Sequence, residues 1–193
     1  MARDIHAMNP PRSERRTFWK YAYARSSFVE TAIFLETFFR ERPSFGSEQL
    51  KVHTIAILTT YARPFKQKEP VRLDQSFVPA GYRTTHDWVI EHRDKSVAHR
   101  DLNAATAEWG FVNQLRIVAD PAGITIHTLS AFMEDTLAHD LLALVCLLIP
   151  IMERELEPFI QTHFNPLPAP GEYTLNLNDD NPSVWLEPAR SNI

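Results

Sequence analysis

Residues 13–42 read SERRTFWKYAYARSSFVETAIFLETFFRER, and this stretch decides the fold class. It contains neither proline nor glycine, and it is followed directly by Pro43. Its apolar residues recur at steps of four, three and four, at Phe28, Ala32, Leu35 and Phe39. That spacing is typical of one face of an α-helix. Because a long amphipathic helix must bury its apolar face against other elements, the stretch predicts a helical protein.

Three further helices are predicted along the chain, at about residues 47–64, 84–101 and 130–163. Their expected N-terminal caps are hydroxyl side chains, as is Ser13 for the first helix: Ser47, Thr84 or Thr85, and Ser130. Proline ends or kinks the second helix at Pro64 and bends the fourth at Pro150. Together the four helices predict an all-α fold, namely an up-and-down four-helix bundle.

Two non-helical features complete the predicted architecture. Residues 115–119 and 124–128 alternate on both sides of Asp-Pro-Ala-Gly, which predicts a β-hairpin at about 115–128 inserted into the bundle. Residues 164–193 are rich in proline and alternate only weakly, so we expect an extended C-terminal tail on the surface. The prediction is therefore a single domain over 1–193, with the bundle and hairpin at 13–163.

Composition limits the class of protein. With 44% hydrophobic residues, 23% charged residues and a net charge of −4, the chain is ordinary for a globular domain and is not one that coats nucleic acid through overall positive charge. Cys146 is the single cysteine and lies in an apolar run, so we expect it to be buried. That run, 141–152, is too short to span a bilayer. We expect a cytoplasmic protein with no membrane contact.

The segment with the most chemistry is 91–101, which reads EHRDKSVAHRD. Eight of its eleven residues are ionisable. On an ideal helix, His92, Lys95, Ser96 and His99 would lie near one face. Such a helix in a bundle is either an exposed polar face or the lining of a site.

This segment resembles the signature of the HEPN superfamily, helical bundles that carry an Arg, usually a polar residue after it, and a His a few residues further on. Here Arg93 is followed by Asp94, and His99 comes after five intervening residues. The string Arg-Asp-Lys-x-x-Ala-His looks like the form found in HEPN proteins related to abortive-infection systems. The upstream residues 61–65, YARPF, also look like that group. The resemblance extends over roughly residues 13–163.

The resemblance implies a metal-independent endoribonuclease without a cofactor. In that role His99 would exchange a proton near neutral pH, Arg93 would bind phosphate oxygens, and Asp94 would orient one of them. The remaining cationic side chains would bind the RNA backbone: Lys95, Arg100 and His92. The implied partners are RNA or a nucleotide, and a partner protein of a toxin–antitoxin or defence system.

Helix geometry adds a further expectation. Residues six apart on an ideal α-helix lie about 120° from each other, so Arg93 and His99 would converge poorly within one helix. The family's solution is a dimer in which two copies of the motif build one cleft. We therefore expect a homodimer that buries the third and fourth helices, including the apolar run 141–149.

Other interpretations of the same residues stay open. Arg93, Asp94 and His99 could form an ion-pair network in a non-catalytic HEPN-like module that binds RNA or a nucleotide, or that serves only assembly. A metal-binding helical bundle is the remaining alternative, although the chain has no Glu-x-x-His pattern. Its candidate ligands would be imidazoles and carboxylates, at His86, His92, His99, Asp87, Glu91 and Asp94.

Overall fold

A computed structural model describes residues 10–45, 47–98, 105–106, 110–111, 115–121, 123–128, 133–165, 168, 170–178 and 185–188. Over these residues the chain is mostly helical, which confirms the predicted helical character. The α-helices are α1 (Arg12–Glu41), α2 (Glu48–Ala62), α3 (Arg83–His92) and α4 (Asp135–His163). A 3-10 turn, Arg63–Lys66, follows α2, and a π-helical segment, Arg93–Ala98, follows α3.

The ends of α1 and α2 follow from local backbone chemistry. Arg42 adopts a left-handed conformation with φ 45°, and its N–H donates to the carbonyl of Phe38 at 2.9 Å, which closes α1 just before Pro43. The hydroxyl of Ser47 accepts from the N–H of Leu50 at 3.1 Å and so caps α2. The predicted start of the second helix at Ser47 is confirmed.

The start points of α3 and α4 differ from the prediction. α3 begins at Arg83, so Thr84 and Thr85 lie inside its first turn and neither is the cap. The Asp135–His163 helix follows Glu134, and Ser130 lies outside the described residues. Both errors concern the choice among several polar residues near a helix start, where the sequence pattern alone does not discriminate.

The core lies between the helices. α1 packs along α4 and α2, and α3 contacts both α2 and α4. Large buried side chains come from each of the three longest helices, among them Phe28, Leu35, Ile57, Tyr61, Leu141, Leu144, Leu148 and Met152. Burial of an apolar side chain of this size contributes roughly 1.5–3 kcal/mol, so these contacts are the main stabilising term.

Among the residues that the structure describes, one face of α4 is exposed. Cys146 is exposed, and Leu147 keeps 44% of its surface accessible. The expectation that Cys146 is buried is wrong, because its side chain points away from the stripe formed by Leu144, Val145 and Leu148.

By length and composition α4 could cross a membrane, since an 18-residue window has a mean hydropathy of 1.8. Core helices of soluble proteins, which are mostly buried, meet the same criterion, whereas 33% of this window is buried.

The described strands form short antiparallel pairs. The strands are β1 (Ala105–Thr106), β2 (Gly110–Phe111), β3 (Leu115–Asp120), β4 (Gly123–Thr128), β5 (Tyr173–Leu175) and β6 (Leu186–Pro188). β1 pairs with β2, β3 with β4 and β5 with β6. The β3–β4 pair lies at the position of the predicted hairpin.

The C-terminal region is more than the exposed tail that its composition suggested. Beside the β5–β6 pair, the indole of Trp185 is buried and lies 5.5 Å, between ring centroids, from Phe164. It also meets Phe159 near the end of α4 edge to face. Trp185 therefore anchors this region to the helical core.

Candidate functional site

The polar segment leaves α-helical geometry at its first motif residue. The N–H of Arg93 bonds to the carbonyls of both Val89 and Ile90, and residues 93–98 continue as a π-helix. A π-helix closes each turn through residues five apart, and single π turns are frequent at functional sites. Side-chain faces worked out for an ideal α-helix therefore do not apply beyond residue 92.

His92 lies inside the protein. Its side chain is 1% exposed, its ring stacks on Trp88 at 3.5 Å between centroids, and its Nδ1 lies 2.9 Å from the carbonyl oxygen of Trp88. Because that oxygen can only accept, Nδ1 is the donor. The expectation that His92 contacts RNA does not fit this placement, since the imidazole is turned into the core from the last turn of α3.

Arg93 and Asp94 form a polar cluster with a third residue, Lys66. The guanidinium of Arg93 donates to Oδ1 of Asp94 at 2.9 Å, and the ammonium of Lys66 donates to Oδ2 at 2.5 Å. Lys66 ends the 3-10 turn after α2, so one carboxylate joins two chain segments that are 28 residues apart. The three side chains are each about one-third exposed, which keeps the cluster open to solvent.

The electrostatics of this cluster fix the charge of Asp94. Partial burial raises the pKa of its carboxyl, but the hydrogen bonds and positive charges of Lys66 and Arg93 outweigh that effect and hold the pKa below its ordinary value. Asp94 is therefore an anion at neutral pH. It can orient Arg93, but it does not carry a proton to a leaving group.

The other predicted site residues are distributed as follows. Lys95 pairs with Glu91 at 2.5 Å, one turn back along the helix, and its side chain is 39% exposed. His99 and Arg100 lie outside the described residues. Sequence reasoning missed Lys66, although it directly follows the YARPF string that carries part of the resemblance.

The YARPF string itself forms core structure. The hydroxyl of Tyr61 lies 2.8 Å from Nδ1 of His86, and the ring of Phe65 meets the same imidazole edge to face at 4.6 Å between centroids. Burial lowers the pKa of His86 to about 4 and raises the pKa of Tyr61. His86 is therefore neutral at pH 7, and the cluster supports the turn that carries Lys66.

The metal alternative finds no support in this part of the molecule. Among the residues that the structure describes, no group of three His, Cys, Asp or Glu side chains is placed to hold a metal ion. His86 and His92, two of its candidate ligands, are each turned into aromatic surroundings.

Comparison with known proteins identified no similar protein. No protein-family model matches the chain, and neither a curated protein nor a solved structure is significantly similar to it.

Proposed function

We propose that this chain is a HEPN-like RNA-binding protein that cleaves RNA without a metal ion, built on an up-and-down four-helix bundle with an inserted β-hairpin. The observation that carries the proposal is the cluster of Arg93, Asp94 and Lys66. A permanently charged guanidinium is held by a carboxylate beside a second cation, at a π-helical turn and open to solvent. The resemblance of residues 91–101 to the HEPN signature gives this cluster its expected chemistry.

The proposed reaction uses the RNA's own 2′-hydroxyl as nucleophile. This oxygen attacks the adjacent phosphorus, the bond from phosphorus to the 5′-oxygen breaks, and the products are a 2′,3′-cyclic phosphate and a 5′-hydroxyl. His99 of one copy removes the proton from the 2′-hydroxyl, and His99 of the second copy gives a proton to the leaving oxygen. Arg93 stabilises the charge that develops on the phosphoryl oxygens, and Asp94 positions Arg93.

A homodimer is part of the proposal because each chain supplies one motif. The uncovered apolar face of α4 supports it, since Cys146, Leu147 and Pro150 are exposed at helical spacing. Contiguous exposed apolar surface on a helix favours association with another protein surface. A two-fold interface places the same residues of both copies opposite each other, so a single face of α4 is sufficient.

The second candidate is a non-catalytic HEPN-like module that binds RNA or a nucleotide, or assembles with a partner protein of a toxin–antitoxin or defence system. The same ion pairs favour it, because Arg93 and Lys66 both contact Asp94 and thereby tie the end of α3 to the turn after α2. Such a network could stabilise the fold without any turnover.

Variants at the two motif residues distinguish the candidates. In excess chelator, Arg93→Ala and His99→Ala should each abolish RNA cleavage while their melting temperatures stay near that of the wild type. His99→Ala should leave RNA affinity nearly unchanged, because it removes proton transfer, worth roughly 10²- to 10⁴-fold. Arg93→Ala should also weaken binding.

The matched control is Arg40→Ala. Arg40 is an exposed arginine in the last turn of α1 and is not on the α4 face proposed for the dimer, so this variant should cleave as the wild type does. A wild type that binds RNA but never cuts it would contradict the ribonuclease and support the non-catalytic binding module. Loss of several degrees of melting temperature in the Arg93→Ala variant, without cleavage by the wild type, would favour a structural network.

A further inference from the structure

A groove borders the cluster on the side of Lys66. It is a cavity of about 540 Å³ between the beginning of α1, the loop after the 3-10 turn, and the segment after β5. Its lining includes Arg16, Trp19, Lys66, Lys68 and Glu69. Sites for small ligands commonly measure roughly 300–1,000 Å³, so the groove has room for a nucleotide unit.

The charges of the groove favour an anion. Arg16, Lys66 and Lys68 contribute three cations, and of these Lys66 is paired with Asp94. Within the described part of the chain, Arg16 and Lys68 form no ion pair. The carboxylate of Glu69 is already engaged with Arg72 at 2.9 Å. The groove is therefore locally basic in a chain whose net charge is −4.

The same groove contains a fixed aromatic surface. The indole of Trp19 is half-buried and stacks almost parallel on Tyr23, with 4.8 Å between centroids and 10° between planes. Nε2 of Gln67 donates to the hydroxyl of Tyr23 at 3.4 Å, which joins this stacked pair to the loop that carries Lys68. Aromatic rings held beside cations are the usual arrangement for binding unpaired bases, because every base has a face that can stack.

We infer that this groove binds one nucleotide of single-stranded RNA, with its base on Trp19 and its phosphate between Arg16 and Lys68. The inference rests on the proposed function, since Lys66 lines the groove and also contacts Asp94, and so connects the bound nucleotide to the Arg93 cluster. Single-stranded RNA is the occupant because a base in a duplex is stacked on its neighbours and cannot reach the indole.

Anisotropy of a fluorescent single-stranded RNA tests the groove. A 2′-O-methyl oligonucleotide serves as the probe, because it lacks the nucleophilic hydroxyl and is not cut. Trp19→Leu should weaken binding roughly 5- to 150-fold. Trp19→Phe keeps a ring and should recover most of that loss, which separates stacking from a folding defect.

A salt titration tests the phosphate contacts. The Arg16→Gln/Lys68→Gln double variant should lower the slope of log affinity against log salt by about 0.7, the change for one neutralised phosphate on a single strand. Trp19→Leu should leave the slope unchanged. Arg40→Gln removes an exposed cation at the end of α1 that does not line the groove, and it should match the wild type in both affinity and slope.

The outcomes separate this inference from the proposed function. If both groove variants bind the probe as the wild type does, the groove assignment is overturned, whatever the cleavage assay shows. If Trp19→Leu loses binding while the wild type never cuts natural RNA, the result supports nucleotide binding in the groove and contradicts the proposed ribonuclease activity. Duplex RNA or nucleoside 5′-monophosphates that bind as tightly as the single strand would also overturn the assignment.

Discussion

The pH dependence of stability gives a quantitative test of the buried cluster beneath the turn that carries Lys66. His86 is fully buried between Tyr61 and Phe65, and burial lowers its pKa from 6.5 to about 4. The unfolded chain therefore binds a proton more readily than the folded chain between these two values. It follows that the contribution of neutral His86 is complete above about pH 6.5 and is lost as the pH falls toward 4.

The magnitude follows from the two pKa values. A difference of about 2.5 between them corresponds to about 3 kcal/mol in all, at about 1.4 kcal/mol per unit. Between pH 7 and pH 5, about 2 kcal/mol of the free energy of unfolding should be lost through this one side chain. For a chain of this size, about 2 kcal/mol corresponds to a decrease in Tm of roughly 4–8 °C.

Urea unfolding at pH 7, 6 and 5 measures the effect, at one fixed protein concentration because association also contributes to stability. His86→Asn keeps a polar atom near the hydroxyl of Tyr61 but does not titrate, so its free energy of unfolding should fall by about 2 kcal/mol less than that of the wild type over this interval. The control is His139→Asn, an exposed histidine of α4. Equal losses in wild type and His86→Asn would refute the assignment of a buried neutral imidazole.

Three other predictions concern single side chains. Ser47→Ala removes the hydroxyl cap of α2, so stability should fall by about 1 kcal/mol in urea unfolding, and an unchanged midpoint would contradict the cap. Asp94→Asn releases Arg93 from its anion, so kcat for RNA cleavage should fall while RNA affinity holds or rises; a loss of affinity alone would argue against a positioning role. Leu147→Asp places a charge on the uncovered face of α4 and should convert the dimer to a monomer in light scattering, whereas Val52→Asp, at a 64% exposed residue of α2, should remain dimeric. A monomeric wild type at micromolar concentration would count against the dimer.

The helices were predictable because each long helix carries a regular apolar spacing and a local stop or start signal. Residues 13–42 show this best, since α1 covers nearly the same residues, and Ser47 caps α2 as its position before an apolar run indicated. The start of α3 was not predictable to the residue. Arg83, Thr84 and Thr85 are all polar, and the structure starts the helix at the first of them.

The site was less predictable because it depends on contacts between distant parts of the chain. Lys66 reaches Asp94 through the packing of α2 against the end of α3, and no spacing rule within 91–101 points to it. His92 was predicted to bind RNA because an ideal helix places it on one face with Lys95 and His99, whereas the backbone changes to π-helical geometry at Arg93. The prediction that Cys146 is buried was wrong for a related reason, because an apolar run does not show which side of a helix packs against another element.

The most direct test of the central claim is the chemistry of the RNA ends after incubation with the wild type in excess chelator. Attack by the 2′-hydroxyl predicts fragments that end in a 2′,3′-cyclic phosphate and begin with a 5′-hydroxyl. These fragments should be absent after incubation with the His99→Ala variant. These ends are identified by mass spectrometry and by labelling of the free 5′-hydroxyl. Fragments with 5′-phosphate ends, or cleavage that chelator abolishes, would contradict the metal-independent mechanism, and intact RNA beside a fully folded protein would contradict the ribonuclease itself.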